Sequence, residues 1–508
     1  MAYSIEQQPN KFVACNSPLV YVVKEDAGAI TGAAKFRYIV QVQISTSNTG
    51  ALATKAKLKL HKNKAGVGIV DVSKIVRTYL ETQEVNENSS TNSIHSVGTV
   101  ETSKPFSQNT NQAVAIRILG GYEKATSQTA APQEFLTPTG TYTSNIAIGI
   151  PATTPYTKTA TDVGGLDDGT QFPLGYFINN TTNKDRYSFL TNAPTVQFVR
   201  GSSTNADNID EVTICFKQGN NASSSIVTVG EKIEYIAVQY FDSAGNLIAD
   251  GSGSSTIHFF INNNANGGAT AAQSDTVQEA ILYFGCGTKN LQLQTDSVIN
   301  GSGATVTGAN ARPSSFSNWA YYSICGTTTS ASTNGQPDTR CTKFYSFYRY
   351  GSGAKVDDRH QSCTRYDNVR LAWRNRLGAW DYMNFRGKSV ESVDVTSEEM
   401  ESVPGTWDLG KYAYSNYERG KQTLFTEAKR KLVVNSDWLN EDEAVWLEEL
   451  FTSTDVQILA DDDYNTPSII YPVVVTSKNY IKKTSVNDKI KIQYTVNLEY
   501  ANKVRTNS

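Results

Sequence analysis

The sequence predicts a mainly β protein with a few short helices: a multidomain chain of β-sandwich-like domains plus a small C-terminal α+β unit. Three observations carry that reading. At 508 residues the chain is too long for a single hydrophobic core, so about three domains is the prior. Short apolar runs, several with two-residue alternation, recur along most of it between turn-forming residues. The composition, 39% hydrophobic and 19% charged with 27 Tyr and 36 Gly, belongs to a folded, loop-rich, β-leaning chain and not to a disordered one.

Residues 1–123 read as an N-terminal β domain with one sheet-packed helix. Its strands are expected at Leu19 to Val23, Phe36 to Ile44, Leu58 to His61 and Val114 to Leu119. The Phe36 run ends in clean apolar/polar alternation, the mark of a half-buried strand. Gly66 and Gly68 signal a turn, after which Asp71 is positioned to cap a short helix. Val72, Ile75, Val76, Tyr79 and Leu80 then form one apolar stripe at helical spacing, so that helix is expected to lie on the sheet. Residues 124–200 read as an excursion and a returning strand. The stretch 124–184 is rich in Thr, Ser, Asn, Gly and Pro and has little periodicity. Inside it, Phe172 to Phe177 is an apolar island expected to dock on a neighbouring surface.

Residues 201–405 read as a β-sandwich-like domain. Strands are expected at Val212 to Phe216, Ile233 to Phe241, Ile257 to Ile261, Ile281 to Phe284, Trp319 to Ile324 and Phe344 to Tyr350. Its densest stretch, Arg365 to Gly387, reads as an aromatic hairpin turning near Leu377-Gly378. Alternation places Val369, Leu371 and Trp373 on one side and Arg370, Ala372 and Arg374 on the other, so one face is expected to be core and the other a basic surface. Residues 406–508 form the α+β unit. Trp407 to Tyr417 reads as an aromatic loop and Gln422 to Val434 as a strand. The strongest helix follows: Asn440 and Glu443 make a capping-box pattern, acidic residues crowd the first turn, and Trp446, Leu447, Leu450 and Phe451 form the buried face. Strands at Val456 to Leu459, Ile469 to Val475 and Ile490 to Leu498 finish the unit.

Signals of chemistry are sparse. The four His residues show no metal-binding spacing, and no nucleophile elbow, P-loop or dinucleotide fingerprint is present. The run Asp461-Asp462-Asp463 lacks the spacing of a calcium loop and reads as a solvated turn. No pair of carboxylates is singled out as a glycosidase site. The six Cys residues form no Cys-x-x-Cys pair and read as isolated buried thiols, with a bridge among Cys325, Cys341 and Cys363 left open. A formal net charge of −3 argues against dedicated nucleic-acid binding. The start, MAYSIEQQPNKF, has no signal-peptide pattern, and no apolar run is long enough to span a membrane, so synthesis in a cytoplasm is expected. No catalytic residue, metal or cofactor is assigned.

Several segments together resemble one family. They are Asn16-Ser17-Pro18-Leu19-Val20-Tyr21, the turn and helix from Gly68 to Val76, Phe189-Leu190-Thr191-Asn192-Ala193-Pro194, the run from Asn375 to Phe385, and Ser436-Asp437-Trp438-Leu439-Asn440-Glu441-Asp442-Glu443. Their order is similar to virion structural proteins of tailed phages, notably crAss-like and other Bacteroidetes-infecting or marine groups. Ala379 departs from the Gly expected in a Leu-Gly-Gly-Trp-Asp pattern. The resemblance implies a non-enzymatic subunit of the tail or baseplate in the virion. Its implied partners are copies of itself in a ring and other tail or neck proteins. The interface residues expected are Arg370, Arg374, Arg376, Trp373 and Trp380, with Phe172 and Phe177, and Arg374→Glu is expected to impair assembly more than folding. The alternatives are a receptor- or glycan-binding tail-tip protein, with a host surface glycan or receptor as partner, and then a glycan-degrading enzyme.

Overall fold

The computed structural model describes residues 3–506 except 10–11, 26–29, 31, 47–51, 83, 87–90, 100–104, 109–111, 137–142, 154–188, 218–232, 234, 250–255, 264–280, 295–297, 301–304, 307–310, 329–331, 334–335, 338–339, 354–364, 419, 461–465, 478, 482–491 and 503. It is mainly β, with several sheets and a few short helices, as expected. The chain divides into two compact units. The first comprises Met1–Gln361 with Arg374–Asp381 and Asp461–Ser468, and the second Ser362–Trp373, Tyr382–Ala460 and Ile469–Ser508.

In the first unit, Ser4–Gln7, Val20–Lys24 and Val67–Asp71 make a three-stranded antiparallel sheet. A second sheet runs in the order Phe12–Ala14, Ala147–Ile150, Val114–Ala125, Ala34–Ser45 and Ala53–Leu60, with Gln133–Leu136 added against Val114–Ala125. Alternate residues of the two sheets meet in one core: Tyr21, Val23 and Val70 from the first, Tyr38, Val40, Val42, Ile116 and Ile118 from the second. Helix α1 (Ser73–Arg77) adds Val76 to that core, with Ile75, Tyr79 and Leu80 half-buried against it. Its N-cap is Val72 and not Asp71. Asp71 is instead the last residue of a strand, where its carboxylate accepts the N–H groups of Ser73 and Leu19, both at 2.9 Å. One side chain thus ties the strand end to the helix start.

A seven-stranded sheet follows in the order Val196–Val199, Tyr345–Arg349, Tyr321–Thr327, Tyr235–Phe241, Thr256–Asn262, Val298–Asn300 and Thr305–Val306. Its core is aromatic: the Tyr240 ring stacks on Phe316 at 4.1 Å, with Trp319 and Tyr322 alongside. A further small sheet orders Thr213–Lys217, Ile281–Gly285 and Phe106–Gln108. Phe106–Gln108 therefore pairs with a strand some 175 residues later in the chain, and the sequence-based divisions at 123 and 200 do not follow the sheets. Helix α2 (Thr288–Leu291) comes after Gly285, whose added Cβ would lie 2.0 Å from the Val97 carbonyl oxygen. Only glycine fits that approach. Cys15, Cys215, Cys286, Cys325 and Cys341 are buried and free, whereas Cys363 lies outside the described residues.

The second unit is one sheet in the order Trp380–Phe385, Val369–Arg374, Val456–Ala460, Ile469–Val475, Thr495–Tyr500, Lys421–Asn435 and Val390–Glu401, with Val504–Thr506 added against Lys421–Asn435. Because Val369–Arg374 pairs with Val456–Ala460, the C-terminal unit begins near 362 and takes in hairpin strands that the sequence assigned to 201–405. Helix α3 (Glu441–Thr452) has its capping box: Glu443 N–H donates to Asn440 Oδ1 and Asn440 N–H to Glu443 Oε2, each at 2.7 Å. Its Trp446 packs against Trp373 of the sheet at 4.9 Å, and Leu447 and Leu450 are buried beside it, while Phe451 is only half-buried. Among the described residues, no helix is long and apolar enough to cross a membrane.

Candidate interaction arm

The hairpin strands Val369–Arg374 and Trp380–Phe385 are mostly core and not surface. Arg370 is only 2% exposed, its guanidinium 5.6 Å from the Tyr382 ring centre. Leu371, Ala372 and Trp373 are buried as well. The strand is interior to its sheet and covered on both faces, so alternation gave the right parity but a solvent face that does not exist. Arg374 is half-buried and donates to Thr82 Oγ1. Trp380 is buried, its ring 4.8 Å from that of His95. Arg376 is exposed, and its carbonyl accepts the Thr153 N–H at 2.7 Å. Phe172 and Phe177 lie outside the described residues. Of the seven interface residues read from sequence, Arg376 is the only described one left open to solvent.

The turn itself is held by polar side chains inside the first unit. Gly378 adopts φ +83°, the left-handed conformation that the turn requires. Asn375 Oδ1 accepts the N–H groups of Leu377 and Ala379 at 3.0 Å each, while its Nδ2 donates to Leu190 O at 2.9 Å and Asp381 Oδ1 at 3.1 Å. Thr191 Oγ1 donates to the same Asp381 oxygen at 2.6 Å. Each group is satisfied by a neighbour, which makes the cluster a structural lock.

Exposure is concentrated elsewhere, in an arm formed by Val390–Glu401 and Lys421–Asn435. All twelve residues of Val390–Glu401 are exposed, and the strand ends its sheet. Its partner strand has a further neighbour only along Thr426–Ala428 and Lys431–Asn435. From Lys421 to Phe425 the arm is two strands wide and exposed throughout. Ion pairs Glu391–Arg430, Asp394–Lys431 and Glu399–Lys421 cross the ribbon. Hydrogen bonding to Asp394 raises the Lys431 ammonium above its ordinary pKa. Such solvent-exposed pairs favour one register but do not replace a core.

At the far end, Thr406–Asp408 and Lys411–Ala413 pair as a small ribbon, with Trp407 opposite Tyr412. The sequence reading of this stretch as a loop missed the ribbon because its turn lacks the usual residues. Leu409 (φ +46°) and Gly410 (φ +79°) make the two-residue connection. Two positive φ values in succession are the type I′ pattern, in which Asn-Gly is favoured. A leucine there costs roughly 1–2 kcal/mol of backbone strain. Leu409 is nevertheless 96% exposed, Tyr417 83% and Trp407 73%. Val393, Val395, Val403 and Tyr414 are more than half exposed on the same arm. A strained, solvated leucine flanked by solvated aromatics gains nothing from folding alone.

Among the described residues, no group of three or more His, Cys, Asp and Glu is placed to hold a metal ion. Comparison of the chain with protein families and with curated proteins found no match.

Proposed function

We propose that the chain is a non-enzymatic structural subunit of a phage tail or baseplate, which assembles with copies of itself and binds neighbouring virion proteins through the exposed arm. The arm is the observation that carries this reading. A two-stranded ribbon is at best marginally stable in water, and this one places Trp407, Leu409 and Tyr417 in solvent. Exposed apolar groups gathered on one element mark a protein-binding surface, and Trp and Tyr are the side chains that dominate such contacts. The segments that resemble tailed-phage virion proteins support the choice of assembly.

Electron microscopy and sedimentation of the purified chain test it, alongside a variant in which residues 402–419 are replaced by an Asn-Gly turn. Closed rings from the wild type and monomers from the shortened variant are expected. Monomers from both at high concentration would refute self-assembly. A second reading, glycan binding at a tail tip, rests on the same solvated aromatics, because flat rings also stack on sugars. Binding of the isolated protein to a glycan array, abolished by Trp407→Ala, would favour it.

A further inference from the structure

We infer that the outer edge of the arm strand Val390–Glu401 pairs with the outer edge of Ala53–Leu60 in a second copy of the chain, which continues one subunit's sheet into the next. This rests on the reading of the chain as a self-assembling subunit and names the surface that the arm meets. Both strands end their sheets, so among the described residues each presents a row of backbone N–H and C=O groups without a strand beside it. Strand addition at such an edge takes its affinity from main-chain hydrogen bonds and its specificity from the side chains that flank them.

Charge selects this pair. Val390–Glu401 carries Glu391, Asp394, Glu398, Glu399 and Glu401 and no basic residue. Ala53–Leu60 carries Lys55, Lys57 and Lys59 and no acidic residue. Among the described strands that end a sheet, Ala53–Leu60 is the only one with more than one basic side chain. Ala56, Leu58 and Leu60 pack on the core and Lys57 and Lys59 are exposed on the other face, while Lys55, at a bulge, is exposed with its ammonium 5.5 Å from the Tyr79 ring centre. A partner strand laid along that edge therefore runs beside a row of positive charge. Each edge also repels its own kind, since five carboxylates oppose arm-to-arm pairing and three ammonium groups oppose edge-to-edge pairing. The contact is consequently head-to-tail, the kind that builds rings or filaments and not closed twofold dimers. Lys57 and Lys59 already meet Glu134 and the buried Glu123, but with Lys55 on the same strand and Arg37 also on Glu123, four cations stand against two carboxylates and the edge stays positive.

Two charge-reversed variants test the pairing. Thr396→Lys/Glu398→Lys alters the arm at residues lying opposite Glu427 and Phe425, so no like charges face each other across the ribbon. Ala53→Glu/Lys55→Glu alters the edge at two exposed positions. Each variant alone is expected to self-associate at least tenfold more weakly than the wild type by sedimentation, with an unchanged melting temperature. Mixed in equal amounts, they are expected to associate more strongly than either variant alone, because an unaltered arm then meets an unaltered edge and the Lys-bearing arm meets the Glu-bearing edge. On the wild type, hydrogen exchange at residues 390–401 and 53–60 is expected to slow together as concentration rises, and this measurement stands even if a variant fails to fold. Assembly of both variants like the wild type, or slowed exchange confined to other strands, overturns the pairing while leaving self-assembly in place. A wild-type chain that stays monomeric overturns both.

Discussion

Leu409→Gly separates the stability of the subunit from the strength of its assembly, and it moves them in opposite directions. In the free subunit Leu409 is 96% exposed, so removing its side chain forfeits almost no burial. Its φ of +46° is costly for leucine and free for glycine, a gain of roughly 1–2 kcal/mol. The greater freedom of glycine in the unfolded chain returns about 0.5–1 kcal/mol of that. The net effect on the monomer is about 0–1.5 kcal/mol of stabilisation, read from urea unfolding of dilute protein. In the assembly, a leucine seated in a partner's pocket contributes about 1.5–3 kcal/mol by burial. Its loss weakens self-association about 10- to 150-fold, at about 1.4 kcal/mol per factor of ten. Sedimentation equilibrium across a concentration series reads that change. An unaltered association constant would remove Leu409 from the contact, and a clearly destabilised monomer would refute the strain argument.

Three further outcomes follow from the packing. Gly285→Ala should destabilise by about 3 kcal/mol or more, because the added methyl meets a backbone carbonyl and not a movable side chain, and thermal unfolding reads the loss. Arg374→Glu, expected from the sequence to spare folding, should instead lower monomer stability by about 2 kcal/mol in urea unfolding, since it removes the half-buried guanidinium bonded to Thr82. Burial raises the pKa values of Tyr21, Tyr240, Tyr283, Cys15 and Cys215. Their neutral forms are thus favoured in the folded state, and the stability they add is present below the unfolded values of about 8.5 for Cys and about 10 for Tyr. It is lost as pH climbs past them, so the melting temperature should fall steadily above about pH 9. A flat profile to pH 11 would contradict that assignment.

Local signals were the legible ones. Asn440 and Glu443 announce α3 because a capping box is complete within four residues. Gly378 marks its turn for the same reason. Alternation located most strands within a few residues, Phe36 to Ile44 among them. Two kinds of information were not local. Parity places Arg370 opposite Trp373 but says nothing of whether a sheet is covered on one face or two, and here both are. Strand partners far apart in sequence, such as Val369–Arg374 with Val456–Ala460, leave no trace in either segment alone. The arm was missed for a different reason. Val390–Glu401 has carboxylates on both faces and no buried side, so it lacks the periodicity by which strands are recognised. An edge strand with no buried side is least visible to a reading that searches for cores.

Neither compact unit is continuous in sequence, and that has a consequence for how the protein is made. The first unit needs Arg374–Asp381, whose Asn375 and Asp381 satisfy Leu190 and Thr191, and Asp461–Ser468, whose Ser468 meets the buried Lys289 and Glu211. A ribosome that has released residue 361 still holds back both inserts. At about 5–20 residues per second, the interval from 362 to 468 lasts roughly 5–20 s. Throughout it, Lys289 and Glu211 wait without Ser468, whereas Asn375 follows residue 361 within about 1–3 s. Synthesis as far as Ser468, not of the first 361 residues, is therefore the event that supplies the last part of the N-terminal unit, and a product truncated before it stays unfinished however long it is given.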